Sequence, residues 1–168
     1  MERGAQLTPE LRGELIALLP RLRRFARSLA GNADAGDDLA QAALEKALVN
    51  IARFESGTRL DSWMYKIAQN LWIDSHRAQR VRGVSVSEEV LATMVGEDGQ
   101  RVAEAKLTFE ATRRAIAELP EDQRAAVMLV LVDGLPYKDA AEILSIPIGT
   151  IMSRIHRARA TLEAKVFG

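Results

Sequence analysis

Ser153, Arg154, His156, Arg157 and Arg159 lie within one short stretch near the C-terminal end, with no acid among them. Arginine can grip guanine through two parallel hydrogen bonds, and a cationic side chain can neutralise a phosphate. Serine and imidazole can donate to base edges or to the nucleic-acid backbone. The chemistry on offer is therefore recognition of a polyanion, not the making or breaking of bonds. Arg159 reads as a phosphate contact or as an ion pair at the edge of the core. Thr150, at the start of the run, either joins the contacts or serves only as a helix cap.

Such side chains need a rigid element to aim them. From Leu135 to Arg159 the sequence LPYKDAAEILSIPIGTIMSRIHRAR reads as two short helices joined by a tight turn. Ala140, Ala141, Ile143 and Leu144 give the first helix an apolar face. Ser145-Ile146-Pro147 breaks it, because Pro147 disfavours helical geometry at Ile146 and suits the first turn of a new helix. From Ile148 the apolar residues recur at Ile151, Ile155, Ala158 and Leu162, which predicts one buried stripe, with the donors on the other face. This is the pattern of a DNA-binding helix-turn-helix. A surface αα-hairpin with a solvated basic face is the plainer reading of the same residues.

The 168-residue chain suits one ordinary domain or two small ones. Ala, Leu, Glu and Arg dominate and favour helix throughout, and no alternating β-branched run suggests a strand. The expected fold class is all-α. Without cysteine the chain can form neither a disulfide framework nor a thiolate metal site, and its two histidines are far apart. No metal and no cofactor is expected. No window approaches a membrane span and MERGAQLTPE lacks the apolar core of a signal peptide, so the expectation is a cytoplasmic protein with no membrane insertion.

Formal net charge is zero, whereas many autonomous DNA binders are basic overall. The charges are segregated, however. Asn32 to Glu45 and Ser87 to Glu104 are acidic, and Arg77 to Arg82 and Arg154 to Arg159 are basic. That distribution suggests one surface for an anionic partner and another for a basic protein.

Along the chain, a first helix is predicted from Pro9 to Ala30 with Leu11, Leu15, Leu18, Leu22, Phe25 and Leu29 inward and a kink or break at Pro20. A second runs from Ala35 to Ala52, with Asp37 and Asp38 in its first turn and Leu44, Ala47, Leu48 and Ile51 inward. Arg53 to Arg59 is a loop in which Ser56 and Gly57 permit a turn, and Phe54 is either tucked into the core or available to stack. A third helix, Leu60 to Gln79, carries the stripe Leu60, Trp63, Met64, Ile67, Ala68 and Leu71, with Trp72 at its edge. Arg80 to Arg101 reads as a linker holding at most one short helix around Val90 to Val95. Then come a helix from Val102 to Leu119, with Phe109, Thr112, Ala115, Ile116 and Leu119 inward, and one after Pro120 with Val127, Met128 and Leu131 inward. Gly134 closes the latter as a left-handed cap.

The run ELPEDQRAAVMLVLVDGLPYKDAAEILSIPIGTIMSRIHRAR resembles region four of bacterial sigma-70 family factors, nearest to the extracytoplasmic-function (ECF) subfamily. The resemblance rests on Leu119-Pro120, Gln123-Arg124, Gly134-Leu135, Ala140-Ala141, Gly149-Thr150, Ser153-Arg154 and Arg157-Ala158-Arg159. DDLAQAALEKAL is similar to the polymerase-binding helix of region two, and LDSWMYKIAQNLWIDSHRAQR to its promoter-melting helix. The resemblance implies region two at 1–80, a linker at 81–101 and region four at 102–168. It implies a non-enzymatic, dissociable initiation subunit, monomeric when free, that binds core RNA polymerase through the β′ clamp coiled coil and the β flap. An anti-sigma factor would control it.

By the same resemblance, Thr150, Met152, Ser153, Arg154, His156, Arg157 and Arg159 would meet the upstream promoter element. Lys46, Phe54, Ser56, Gly57, Arg59, Trp63, Lys66, Asn70 and Arg77 would meet the downstream, melted one. Trp63 also belongs by position to the apolar stripe, a core role. Asp37, Asp38 and Gln41 would dock on the polymerase. Met152 stands where the family usually has Lys or Arg, and Pro136-Tyr137 where it has Ser and Tyr. The competing reading is a stand-alone helix-turn-helix regulator, which should be a two-fold dimer on a palindrome. An enzyme would need convergent nucleophiles or ligands, and none stand out.

Overall fold

A computed structural model describes residues 5–82 and 100–168. Every regular element among them is helical: α1 Pro9–Ala30, α2 Ala33–Val49, a 3₁₀ turn Ile51–Arg53, α3 Leu60–Arg82, α4 Gln100–Ala117, α5 Glu121–Val127, a π-turn Met128–Val132, α6 Tyr137–Leu144 and α7 Ile148–Phe167. The all-α expectation holds. The short helix expected around Val90 to Val95 lies outside the described residues.

Local chemistry sets the boundaries. Thr8 caps α1 by accepting from Leu11 N at 3.2 Å, and Pro9 occupies the position where a missing N–H is harmless. α1 runs through Pro20 without the expected break. Pro20 and Ile16 are both exposed, so the carbonyl left without a helical donor faces water. Gly31 ends the helix at φ +80°, the left-handed geometry glycine adopts without strain. Asn32 then caps α2 by accepting from Ala35 N at 2.8 Å. α2 therefore starts two residues before the expected Ala35. Asp34, not Asp37 or Asp38, occupies its first turn.

α1, α2 and α3 pack together around Leu22, Phe25, Ala43, Met64, Tyr65 and Ala68, all buried. The approach of α1 to α2 is close enough that a Cβ on Gly36 would stand 2.4 Å from Arg27 Cα. Leu48, expected inward, is exposed, because α2 buries only its small residues Gly36, Ala40, Ala43 and Ala47.

The second group, α4 to α7, encloses Leu119, Val127, Leu129, Leu135, Ile143, Ile151 and Ile155. Three inward assignments fail here. Phe109 is exposed together with its neighbours 107–110, and among the side chains described on α4 only Ala115 is fully buried. The π-turn adds a residue to the helical repeat, its wide bond running from Asp133 N to Met128 O at 3.0 Å. That rotates the face, so Leu129 is buried and Leu131 exposed. Ile148, at the free start of α7, is exposed, while Ile151, Ile155 and Ala158 form the predicted stripe. Gly134 follows at φ +69°, the left-handed cap expected.

The two groups share one apolar cluster. α1 lies on α5, and α3 lies on α6.

Candidate nucleic-acid and polymerase interfaces

The turn between α6 and α7 depends on Ser145, which adopts φ +56° and ψ +43° although it is not glycine. Its N–H bonds to Glu142 O at 3.3 Å and that of Ile146 to Ala141 O at 3.1 Å, so the last carbonyls of α6 are satisfied while the chain reverses. Pro147 then opens α7. With Ile151, Ile155 and Ala158 buried, the opposite face presents Met152, Ser153, His156, Arg157 and Arg159 to solvent. Among the described residues the side-chain bonds on this surface run along the helix: Ser153 Oγ donates to Gly149 O at 3.0 Å and Arg157 Nε to Ser153 O at 3.3 Å.

Two predicted members stand apart from that face. No side chain caps α7, so Thr150 is half-buried without the capping role considered for it. Arg154 turns sideways, its Nε 3.4 Å from Asp122 of α5, and lines a cavity of about 320 Å³ with Leu29, Gln69, Glu121 and Leu144.

The second surface is the loop before α3 and the outer side of α3. Gly57 supplies its turn at φ +91°, closed by Thr58 Oγ1 donating to Glu55 O at 2.7 Å. Ser56 and Gly57 are exposed, but Phe54 is buried against Trp63, their rings 5.2 Å apart. Of the two roles left open for Phe54, the structure shows the core one. Trp63 is half-buried. Lys46, Asn70 and Arg77 are exposed. Arg59 and Lys66 are engaged within the chain. Arg59 bonds to both oxygens of Asp61 and, at 2.8 Å, to Asp139 of α6. Lys66 Nζ donates to Glu142 O at 2.7 Å and to Ser145 Oγ. Burial alone would raise the Asp61 carboxyl, but bonds from Arg59, the Ser62 N–H and Arg21 hold it below its ordinary pKa.

The acidic trio on α2 divides in the same way. Asp37 is clamped by Arg27, Nε to Oδ1 at 2.8 Å and Nη2 to Oδ2 at 2.9 Å, and this fork lowers its pKa. Asp38 and Gln41 face solvent, with Gln41 bonded to Glu45 one turn on.

Sequence reasoning missed the groups that join the two helix groups: Tyr65, Asp133 and Arg124. Tyr65 is wholly buried and donates its hydroxyl to Asp133. Arg124 Nε donates to Ser28 O at 2.5 Å and its Nη1 to Ala117 O at 2.9 Å. Tyr65 follows the apolar pair Trp63-Met64 and could have been placed inward by spacing. Asp133 reads locally as a turn residue before Gly134, and nothing local pairs it with a tyrosine 68 positions away. Among the described residues no cluster of potential metal ligands forms, and no helix is long and apolar enough to cross a membrane.

Among the described residues every regular element is helical, and α6, its tight turn and α7 have the form of a helix-turn-helix with a donor-rich outer face. Residues 109–162 match the family described as sigma-70, region 4, and residues 15–69 match the sigma2 domain of PhyR. The chain is 42% identical over 161 residues to the ECF RNA polymerase sigma factor EcfG of Rhodopseudomonas palustris (strain TIE-1), spanning 96% of this chain and 87% of that one. It is 30% identical to SigW of Bacillus subtilis (strain 168), spanning 87% and 83%. Among solved structures it is similar to the sigma factor RpoE in complex with the anti-sigma factor NepR from Bartonella quintana. That match has a TM-score of 0.77 and 34% identity, and covers 94% of this chain and 96% of that one. The chain belongs to the ECF RNA polymerase sigma factors, a family of non-enzymatic transcription initiation subunits.

Proposed function

We propose that this sigma factor binds core RNA polymerase reversibly and grips promoters at two points, with region two at 1–80 and region four at 102–168. The carrying observation is the open face of α7. Met152, Ser153, His156, Arg157 and Arg159 point together into solvent from a helix whose other side is fixed in the core. A helix presented in this way fits the major groove and reads the upstream element. The Gly57 loop and α3 handle the downstream element as single strand, with Ser56, Arg59, Lys66, Asn70 and Arg77 as polar contacts and Lys46 beside them. The buried ring of Phe54 supports the loop from beneath, braced by Trp63.

Asp38 and Gln41 dock on the β′ clamp coiled coil, and Asp37 acts through Arg27 to orient that face of α2. Region four meets the β flap. The similar RpoE is held by an anti-sigma factor, and we infer the same mode of control here, in the cytoplasm. Neutral net charge suits a subunit that does not hold DNA alone, because core polymerase supplies much of the affinity.

Run-off transcription from a genomic promoter library with purified core tests the reading. Selective transcripts that need the added factor are expected, and their absence overturns it. Gel shifts add a second check, since tight, sequence-specific binding by the free protein contradicts dependence on core.

A further inference from the structure

We propose that the second half of the chain is an internal competitor for DNA: α6 and the turn after it occupy Arg59 and Lys66 of the downstream surface, and Asp133 is the pin that holds them there. The masking part rests on the assignment of Arg59 and Lys66 to single-stranded DNA made above.

The pin is a single carboxylate gathering donors from two helices of the other half. The Asp133 side chain is 1% exposed. It accepts from the Tyr65 hydroxyl and from Arg24 Nη2 at 3.1 Å, and Arg21 Nε stands 3.9 Å away. Tyr65 is held for this bond by Phe25, ring edge to ring face at 5.0 Å, and by Arg21 5.8 Å over its ring. A second anchor lies at the end of α1. There the buried Arg124 reaches Ser28 O, among the carbonyls of a last turn where helical donors run out.

Ionic contacts of this kind set register more than they add stability. A shift of one turn would leave Asp133 charged, buried and unpaired. Full separation returns every partner to water, where each is well solvated. The arrangement therefore favours one docked geometry and a released form over slipped intermediates.

What the docked geometry covers is specific. Arg59 is bound by the Asp139 carboxylate, and Lys66 by the Glu142 carbonyl and the Ser145 hydroxyl. The Glu142 carbonyl lies in the last turn of α6, at the negative end of the helix. These acceptors have the anionic or partly negative character of phosphate oxygens, and they occupy the donors a phosphate would take. The reading face of α7 stays in solvent at the same time. The closed chain thus occupies two cations of its downstream surface, Arg59 and Lys66, and leaves its upstream face open.

The chain has no cysteine, so Glu14→Cys and Ala160→Cys, both at exposed positions, accept spin labels cleanly for pulsed distance measurement. The tests are Asp133→Asn and Asp139→Lys in the full chain, each checked for fold by circular dichroism. Asp139→Lys breaks a partly exposed pair outside the pin and serves should Asp133→Asn fail to fold. The parent is expected to show one narrow distance, and both variants a broad, longer distribution. Unlabelled variants should bind a fluorescent mixed-sequence DNA single strand about tenfold more tightly, as when the open form rises from roughly a tenth of the population to nearly all. An unchanged narrow distance in folded variants overturns the pin. A broadened distance with unchanged single-strand affinity overturns the masking, and with it the assignment of Arg59 and Lys66 to DNA.

Discussion

The α7 face and the α3 surface carry similar polar side chains and meet different surroundings. On α7, Ser153, His156 and Arg157 point into solvent, and the side-chain bonds of Ser153 and Arg157 run along their own helix. On the loop and α3, Arg59 and Lys66 are taken by α6. Residue type does not separate them; neighbours do. Among the described residues, the side-chain bonds on the outer face of α7 stay within that helix. α3 is packed between α2 and α6. A cation on a sandwiched helix finds acceptors in its own chain, so two surfaces equally suited to DNA by composition differ in whether they are free to bind it.

The largest expected effect falls on the support of the α3 surface. A Cβ on Gly36 would stand 2.4 Å from Arg27 Cα and 2.7 Å from Arg27 N, backbone atoms that cannot swing aside. Gly36→Ala should destabilise the chain by about 3 kcal/mol, the upper part of the overpacking range. The denaturant midpoint reads this directly. Gly36 lies in the α1–α2 contact, so the transition of the α1–α3 group is the one expected to move. A midpoint equal to the parent's would mean that α1 and α2 can part without loss.

Why Gly36 escapes a sequence reading, while the helices themselves do not, is a matter of range. Periodicity places Leu22, Phe25, Met64 and Ile151 inward because each helix repeats its own apolar face. The left-handed cap at Gly134 is readable for the same local reason. The errors cluster where a neighbour or a rare geometry decides. The π-turn rotates Leu131 outward. Leu48 loses its place because alanines and a glycine bring α2 in too close for it. The turn-helix surface was legible because it is local and faces solvent. The contacts of Arg59, Lys66 and Asp133 across the two helix groups were not, because those partners lie 68 or more positions away.

The open surface is tested by Arg157→Ala. Arg157 is exposed and its side chain bonds within its own helix, to Ser153 O, so its loss should leave stability within about 0.5 kcal/mol. A bidentate base contact is worth about 1–3 kcal/mol of discrimination. Holoenzyme should therefore lose roughly that much selectivity between cognate and altered upstream elements in a competition assay. A stability loss with selectivity intact would place Arg157 with Arg59, among the cations used inside the chain.

Acid should weaken the side rich in internal ion pairs. Asp37, through its fork with Arg27, and Asp61, through Arg59, Ser62 N–H and Arg21, have folded pKa values below the ordinary 3.8. The stability they contribute is complete above that value and is lost as pH falls through their lower folded pKa values. Urea unfolding followed from pH 5 downward should show falling stability below about pH 4, with a shallower slope in Asp37→Asn. An identical slope in that variant would show that the Arg27–Asp37 fork contributes nothing to folding.

Arg154 gives the smallest and most discriminating effect, because the family pattern groups it with the readers while its side chain turns away from them. It lies 3.4 Å from Asp122, is about one-fifth exposed, and lines the cavity between α1, α3, α5 and α7. If the pair with Asp122 is its main role, Arg154→Ala costs about 0.2–1 kcal/mol of stability, as for ion pairs near a surface. Asp122→Ala should then cost a similar amount, and the double variant less than the sum. Upstream selectivity would change far less than in Arg157→Ala. If Arg154 swings out to DNA, the order reverses: selectivity falls as in Arg157→Ala, core binding is kept, and Asp122→Ala leaves promoter choice unaffected. A double-mutant cycle in the free protein, beside promoter competition in holoenzyme, separates the two outcomes. It also decides whether the open face of α7 ends at the residues already in solvent or recruits one more cation when DNA arrives.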